Sequence, residues 1–246
     1  MNRWFTRYVM GVENGVETEP RAWIVREGDD RQEPTPYPDY PHPEATGVPL
    51  HPGGDGNWTG TLSLTAASDR GTGALVDNFS FSGGALAAAE WSNHRLLYAT
   101  AELTGAVHLS GVARVRIRVA ADAPGANLSV WLVSLPWTDG ESINDNVITR
   151  GWADPQNAGA DRMMAPRGGR PLVPGQFVEL EFDLQPDDQV IPAGARIGLM
   201  IFSSDRDFTL HPDPGTALTI DLEGTSIELP VVGGAPVLER ALRKIS

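Results

Sequence analysis

Apolar residues recur at every second position through the body of this chain. That period belongs to strands with one buried face and is incompatible with an amphipathic helix over the same residues. Val115, Ile117 and Val119 alternate with Arg114, Arg116 and Arg118. Val178, Leu180, Phe182 and Leu184 alternate with Glu179, Glu181 and Asp183, and Leu218, Ile220 and Leu222 repeat the pattern around Thr219 and Asp221. Two further runs, Leu128 to Leu135 and Ala195 to Ser203, are apolar throughout and fit central strands covered on both faces. Turn clusters at Ala123-Pro124-Gly125, Pro174-Gly175 and Pro192-Ala193-Gly194 supply the fixed and positive φ angles that reversals need. Beyond residue 60 there is almost no helical period, so the expected fold is all-β, a jelly-roll β-sandwich of galactose-binding-like type.

The ends read differently. Trp4 with Tyr8, and Phe5 with Val9, stand at i,i+4 and form one apolar helical face that Gly11 ends. So short a helix is marginal alone and needs a partner surface, so residues 1–12 are expected to be a terminal helix left over from another domain. Residues 13–56 are rich in Pro, Gly and Asp and read as an extended connector, with one short strand around Arg21 to Val25. Its extreme, Pro34 to Glu44, is expected to be a strap packed over the domain surface. Tyr37, Tyr40 and His42 also fit a proline-rich recognition motif. The sandwich is assigned to 57–232, with a helical turn within Gly84 to Trp91, and a tail with a short helix to 233–246.

Composition removes several functions. A formal charge of −13 repels phosphate backbones and anionic lipid, so neither nucleic acid nor a membrane surface is an expected partner. The absence of cysteine excludes a disulfide framework, a thiolate metal site and a cysteine nucleophile. Compartment stays open.

Catalytic chemistry is also missing from the sequence. The G-x-S-x-G elbow of α/β-hydrolases fails at both places that approach it: Asn144 follows Gly140-x-Ser142, and Glu228 follows Gly224-x-Ser226. His42, His51, His94, His108 and His211 are candidate bases without a nucleophile, and none is assigned a catalytic role. No cofactor motif is present. Asp139, Glu141, Asn144 and Asp145 offer oxygen ligands to calcium, but without EF-hand spacing, and a solvated loop is the competing reading. Trp152 with Asp154, Gln156 and Asn157 fits either a sugar or peptide pocket or a loop anchored at an interface.

These segments, in this order, resemble the C-terminal part of X-Pro dipeptidyl-peptidases and cocaine esterases. Arg3 to Val16 is similar to the family's R-W-F-D-x-x-L-K-G-x-D-N-G-I stretch, with Thr6 and Met10 where Asp and Lys are usual. His94 to Thr100, Glu102 to Ala120, Asn127 to Leu135, Ile148 to Asn157 and Ile191 to Ile201 resemble successive strands of its C-terminal jelly roll. The resemblance implies that the Ser-Asp-His triad and oxyanion hole lie upstream of Met1, so no catalytic residue carries over. It implies as partner an α/β-hydrolase catalytic domain, normally in the same chain, on which Trp4, Phe5, Tyr8 and Val9 would dock. The domain would then shape or stabilise the active site of a dipeptidyl-peptidase or esterase and contribute to homo-oligomer contacts. The competing function is a free-standing carbohydrate- or peptide-binding module.

Overall fold

A computed structural model describes residues 2–25, 33–138, 146–158, 169–211 and 214–243. Helix α1 (Asn2–Tyr8) is followed by a small antiparallel pair, β1 (Ala22–Ile24) with β2 (Thr35–Tyr37). Then come β3 (Ala45–Gly53), β4 (Gly60–Ser63), β5 (Thr72–Val76), helix α2 (Gly83–Ala88), β6 (Arg95–Ala99), β7 (Val107–Gly111) and β8 (Arg114–Ala121). The chain continues through β9 (Leu128–Leu135), β10 (Val147–Ala153), β11 (Val178–Asp183), β12 (Asp187–Ile191), β13 (Arg196–Phe202), β14 (Ala217–Val232) and helix α3 (Gly234–Leu242).

The strands form a β-sandwich of two unequal layers. One layer is built around β14, whose sixteen residues are flanked by β8 and β7 on one edge and by β5 and β3 on the other. β11 pairs outside β8, and β12 outside β7. The second layer runs β4-β6-β13-β9-β10, with β4 parallel to β6 and the other pairs antiparallel. Strand β3 belongs to both layers. Leu50 and the residues before it pair with β14, while His51, Pro52 and Gly53 pair with β4.

The alternation read in the sequence decides which side chains meet between the layers. Val115, Ile117, Val119, Leu218, Ile220 and Leu222 face Leu128, Val130, Leu132, Ile197, Leu199 and Ile201 in one continuous core. The outer face of the β14 layer is solvated and paired in charge. Arg114 bonds Asp183 at 2.9 Å, Arg116 reaches Glu179 at 3.3 Å, and Arg118 bonds Asp221. Such exposed pairs contribute little stability each and fix register more than they add energy.

The second layer is covered on both faces, as its apolar runs require. The alternate residues Leu97, Ala99, Trp131, Val133, Leu135, Met200 and Phe202 form a second buried cluster that α2 covers through Leu86 and Ala87. Ser82 caps α2, its hydroxyl accepting the Ala85 amide at 3.2 Å. Within the main core Tyr98 is fully buried, and its hydroxyl has no partner among the described residues. Burial drives that phenol well above its ordinary pKa. Tyr98→Phe is therefore expected to change unfolding free energy by less than about 1 kcal/mol, or to raise it, in urea denaturation. A loss above about 2 kcal/mol would mean that the hydroxyl has a partner.

The segment expected as a proline-rich strap lies along β7 and β12. The Tyr40 hydroxyl donates to the Asp187 carbonyl at 3.0 Å, and the His42 amide donates to the Ser110 hydroxyl at 2.9 Å. Tyr37 is buried beside His108 and Asp188. Within the stretch read as connector, β3 is a full member of both layers.

Candidate functional site

The four residues that suggested a ligand pocket are divided between two tasks. On β10, Trp152 donates its indole N–H to Asp205 at 3.1 Å and stacks against Phe208, with ring centroids 5.6 Å apart. Asp154 instead turns on its own neighbours. It accepts the Gln156 amide at 2.9 Å, the Gln156 side-chain amide at 3.3 Å and the Asn157 side-chain amide at 3.1 Å. That capped turn, Pro155–Asn157, is held further by the Arg170 amide on the Gln156 carbonyl at 2.9 Å. The Asp154 carboxylate and the side-chain amide nitrogens of Gln156 and Asn157 thus bond within the turn, while Asn157 Oδ1 has no partner among the described residues. The possible calcium ligands Asp139, Glu141, Asn144 and Asp145 lie outside the described residues.

Among the described residues no histidine ring bonds a serine hydroxyl, and His51 Nδ1 has no partner there. The ring nitrogens of His94 and His108 bond the Val76 carbonyl at 2.8 Å and Asp188 at 3.0 Å, and His42 Nδ1 accepts the Glu44 amide at 3.2 Å. His211 stacks on Phe79. None of those partners is a serine hydroxyl, so no activated nucleophile is formed there.

Two groups of exposed aromatic side chains stand out among the described residues. The first is α1, which has no buried residue: Trp4, Phe5 and Tyr8 are about half exposed and Val9 is 71% exposed. The helix is tied back to its own following segment by the pairs Arg3 with Glu19 and Arg7 with Glu17, and by Asn14 to the Arg3 carbonyl at 2.7 Å. Its aromatic face packs on itself, Trp4 against Tyr8 with centroids 4.9 Å apart, and is otherwise open.

The second surface is a rim of aromatic side chains at one end of the sandwich. Trp58, Phe81, Trp91 and Phe208 are each exposed, and Leu210 is 95% exposed. The loops that carry them are joined. The Ser92 amide donates to the Asn57 carbonyl at 2.9 Å, Phe81 stacks on His94, and Phe79 stacks on His211. Beneath the rim sits Arg95, a fully buried cation that satisfies its guanidinium with backbone alone. It donates to the carbonyls of Gly56 at 2.6 Å, Asn57 at 2.9 Å, Trp58 at 2.7 Å, Leu86 at 3.2 Å and Ala89 at 2.7 Å. Burial, only partly offset by Asp55, lowers its pKa to about 10, so the clamp stays charged at neutral pH. Neither Arg95 nor Asp205 has a signal in the sequence, since their partners are backbone carbonyls or distant indoles.

A family profile described as the X-Pro dipeptidyl-peptidase C-terminal non-catalytic domain matches residues 14–240. A Rhodopirellula baltica protein that bears the name of an Xaa-Pro dipeptidyl-peptidase is 58% identical over 241 residues. The match takes in 97% of this chain but only 38% of that protein. Among solved structures, an aminopeptidase from a Thaumarchaeota archaeon superposes with a TM-score of 0.65 at 18% identity, over 94% of this chain and 45% of its own. A CocE/NonD family hydrolase from Staphylococcus aureus does so at 0.65 and 14% identity, again over 94% and 45%. At those identities the structures support the fold alone.

Proposed function

The chain belongs to the family of X-Pro dipeptidyl-peptidase C-terminal non-catalytic domains, and from that premise we propose that it is the accessory β-sandwich of a serine exopeptidase or esterase. It docks on a hydrolase domain of the same polypeptide and helps to shape that domain's active site. The observation that carries this reading is α1, a seven-residue helix whose aromatic face is left half exposed by the described residues of the sandwich. A helix this short owes its stability to tertiary packing, so its apolar face needs a surface from outside the described residues. The occupant is the remaining part of the hydrolase, because the matched relatives extend well beyond the region they share with this chain. The aromatic rim held by Arg95 offers that domain a second contact, of the residue types enriched at interfaces.

The test is a chimera in which this chain replaces the matched region of the Rhodopirellula baltica protein. It should hydrolyse an X-Pro chromogenic substrate, whereas the 246-residue chain alone should not. Replacing Trp4 and Tyr8 together by Asp should lower catalytic efficiency by about tenfold or more, equivalent to about 1.4 kcal/mol of lost transition-state stabilisation. The thermal midpoint of the isolated chain should be unmoved by the same changes. Activity in the chain alone, or full activity in the doubly substituted chimera, refutes the reading.

A further inference from the structure

The loop that follows β13 presents Phe208 and Leu210 to solvent and is rooted on a buried acid. Asp205 is 0% exposed. Its Oδ2 accepts two indole N–H groups, from Trp131 at 3.0 Å and from Trp152 at 3.1 Å. Its carbonyl accepts the amides of Phe208 at 3.0 Å and Thr209 at 2.9 Å, and its own amide donates to the Thr209 hydroxyl at 3.1 Å. One carboxyl oxygen thus ties β9 and β10 together while the backbone beside it folds the loop. Its Oδ1 is buried and accepts no well-formed hydrogen bond among the described residues, with the Asp207 amide near enough to act on the carboxyl.

Few charges face this carboxyl. From β10, Arg150 lies 4.0 Å over the Phe208 ring and within 6.0 Å of the Trp131 and Trp152 rings, with its Nη1 also buried and unpartnered. The segment of β9 from Leu128 to Leu135 and the helix α2 bring no charged side chain. In the loop itself Arg206 and Asp207 pair with each other at 3.2 Å at the surface. Ahead of it, Asp77 is engaged by the Ser204 amide at 2.8 Å and the Ser204 hydroxyl at 3.0 Å.

We infer that Asp205 is a proton-operated latch: with a proton on Oδ1 it holds the 205–211 loop against Trp131 and Trp152, and as a carboxylate it favours loop opening. A proton on Oδ1 displaces none of the bonds to the tryptophans, because both indoles use Oδ2. Ionisation puts a charge where water is excluded, and opening the loop restores its hydration. Burial raises the proton affinity of the carboxyl, against the opposing effects of the two indoles, the Asp207 amide and Arg150. A carboxyl raised in the closed state stabilises closure fully below the ordinary aspartate range, and that contribution is lost as pH rises through its own elevated pKa. The presentation of Phe208 and Leu210 therefore follows pH. The latch belongs to this chain and is tested without any hydrolase domain, so its failure and the failure of docking are separate results.

Amide hydrogen exchange of Phe208 and Thr209 in the 246-residue chain, corrected for the intrinsic pH dependence of exchange, reads the latch directly. Protection should fall as pH rises from the acid range towards neutrality. In Asp205→Asn, which keeps a carbonyl oxygen for both indoles and cannot ionise, protection should stay high and lose its slope. Arg150→Gln removes the cation that, among the described residues, acts on the carboxyl and should move the transition to higher pH. Protection independent of pH in the unmodified chain overturns the latch. So does an Asp205→Asn slope equal to the unmodified one. Should Asp205→Asn not fold, Arg150→Gln decides alone: a transition displaced upward supports the latch, and one left in place overturns it.

Discussion

Arg95→Met is expected to cost about 4 kcal/mol of unfolding free energy and to lower the thermal midpoint by about 10 °C. The guanidinium serves five carbonyls, three from the loop between β3 and β4 and two from α2 and its C-cap. Gly56 and Asn57 also accept the amides of Leu97 and Ser92, so they keep a partner when the cation is removed. The carbonyls of Trp58, Leu86 and Ala89 depend on Arg95. The Leu86 contact is buried and those of Trp58 and Ala89 are part-buried, so losing the donor costs about 1–3 kcal/mol at Leu86 and less at the other two, and release from burying a charge recovers part of the total. Methionine holds much of the volume, so the loss measures hydrogen bonding more than a cavity. The loops of Trp58 and Trp91 should also lose their fixed spacing, seen as faster proteolysis between residues 55 and 92. Urea unfolding is the measurement, and a cost below about 1 kcal/mol would mean that water takes over the carbonyls.

Gly83→Val is the second large effect, with an expected loss of about 3 kcal/mol from overpacking. A Cβ at Gly83 would lie 2.1 Å from the Trp131 ring, and α2 approaches the second layer this closely only because none is there. The ring has little room to give way, since its indole is bonded to Asp205 and its face packs on Phe202 with centroids 5.6 Å apart. Either α2 lifts from the layer, or Trp131 turns and breaks its bond. Trp131 fluorescence separates the two, and an unchanged spectrum together with an unchanged midpoint would sink the argument.

The alternation of Val115, Ile117 and Val119 with arginines placed β8 correctly, because period two is a local consequence of one-sided burial. The apolar run from Leu128 to Leu135 likewise implied cover on both faces, and two separate clusters provide it. The layer order was not readable, since it depends on pairings between segments far apart in sequence. Arg95 carries no mark of its role in the sequence, because its partners are backbone carbonyls. Asp205 is not singled out by the sequence either, since the indoles that bond it are 53 and 74 residues away. The set of Trp152, Asp154, Gln156 and Asn157 was grouped by proximity along the chain. The structure bonds Trp152 to Asp205 and the other three to one another. Trp4, Phe5, Tyr8 and Val9 were legible as one face because helical spacing is local, whereas what covers them is a property of the longer hydrolase proposed above.

Strand β3 sets the order of events during synthesis. It pairs with the last six residues of β14, from Ile227 to Val232, and so waits for partners made about 180 residues later. Until the ribosome has released those residues the β14 layer cannot close, and the inner face of the already complete β4-β6-β13-β9-β10 layer stays uncovered or held by a chaperone. A ribosome-bound chain stalled before Ile227 should therefore be protease-sensitive and aggregation-prone, and one released past Leu242 should be neither.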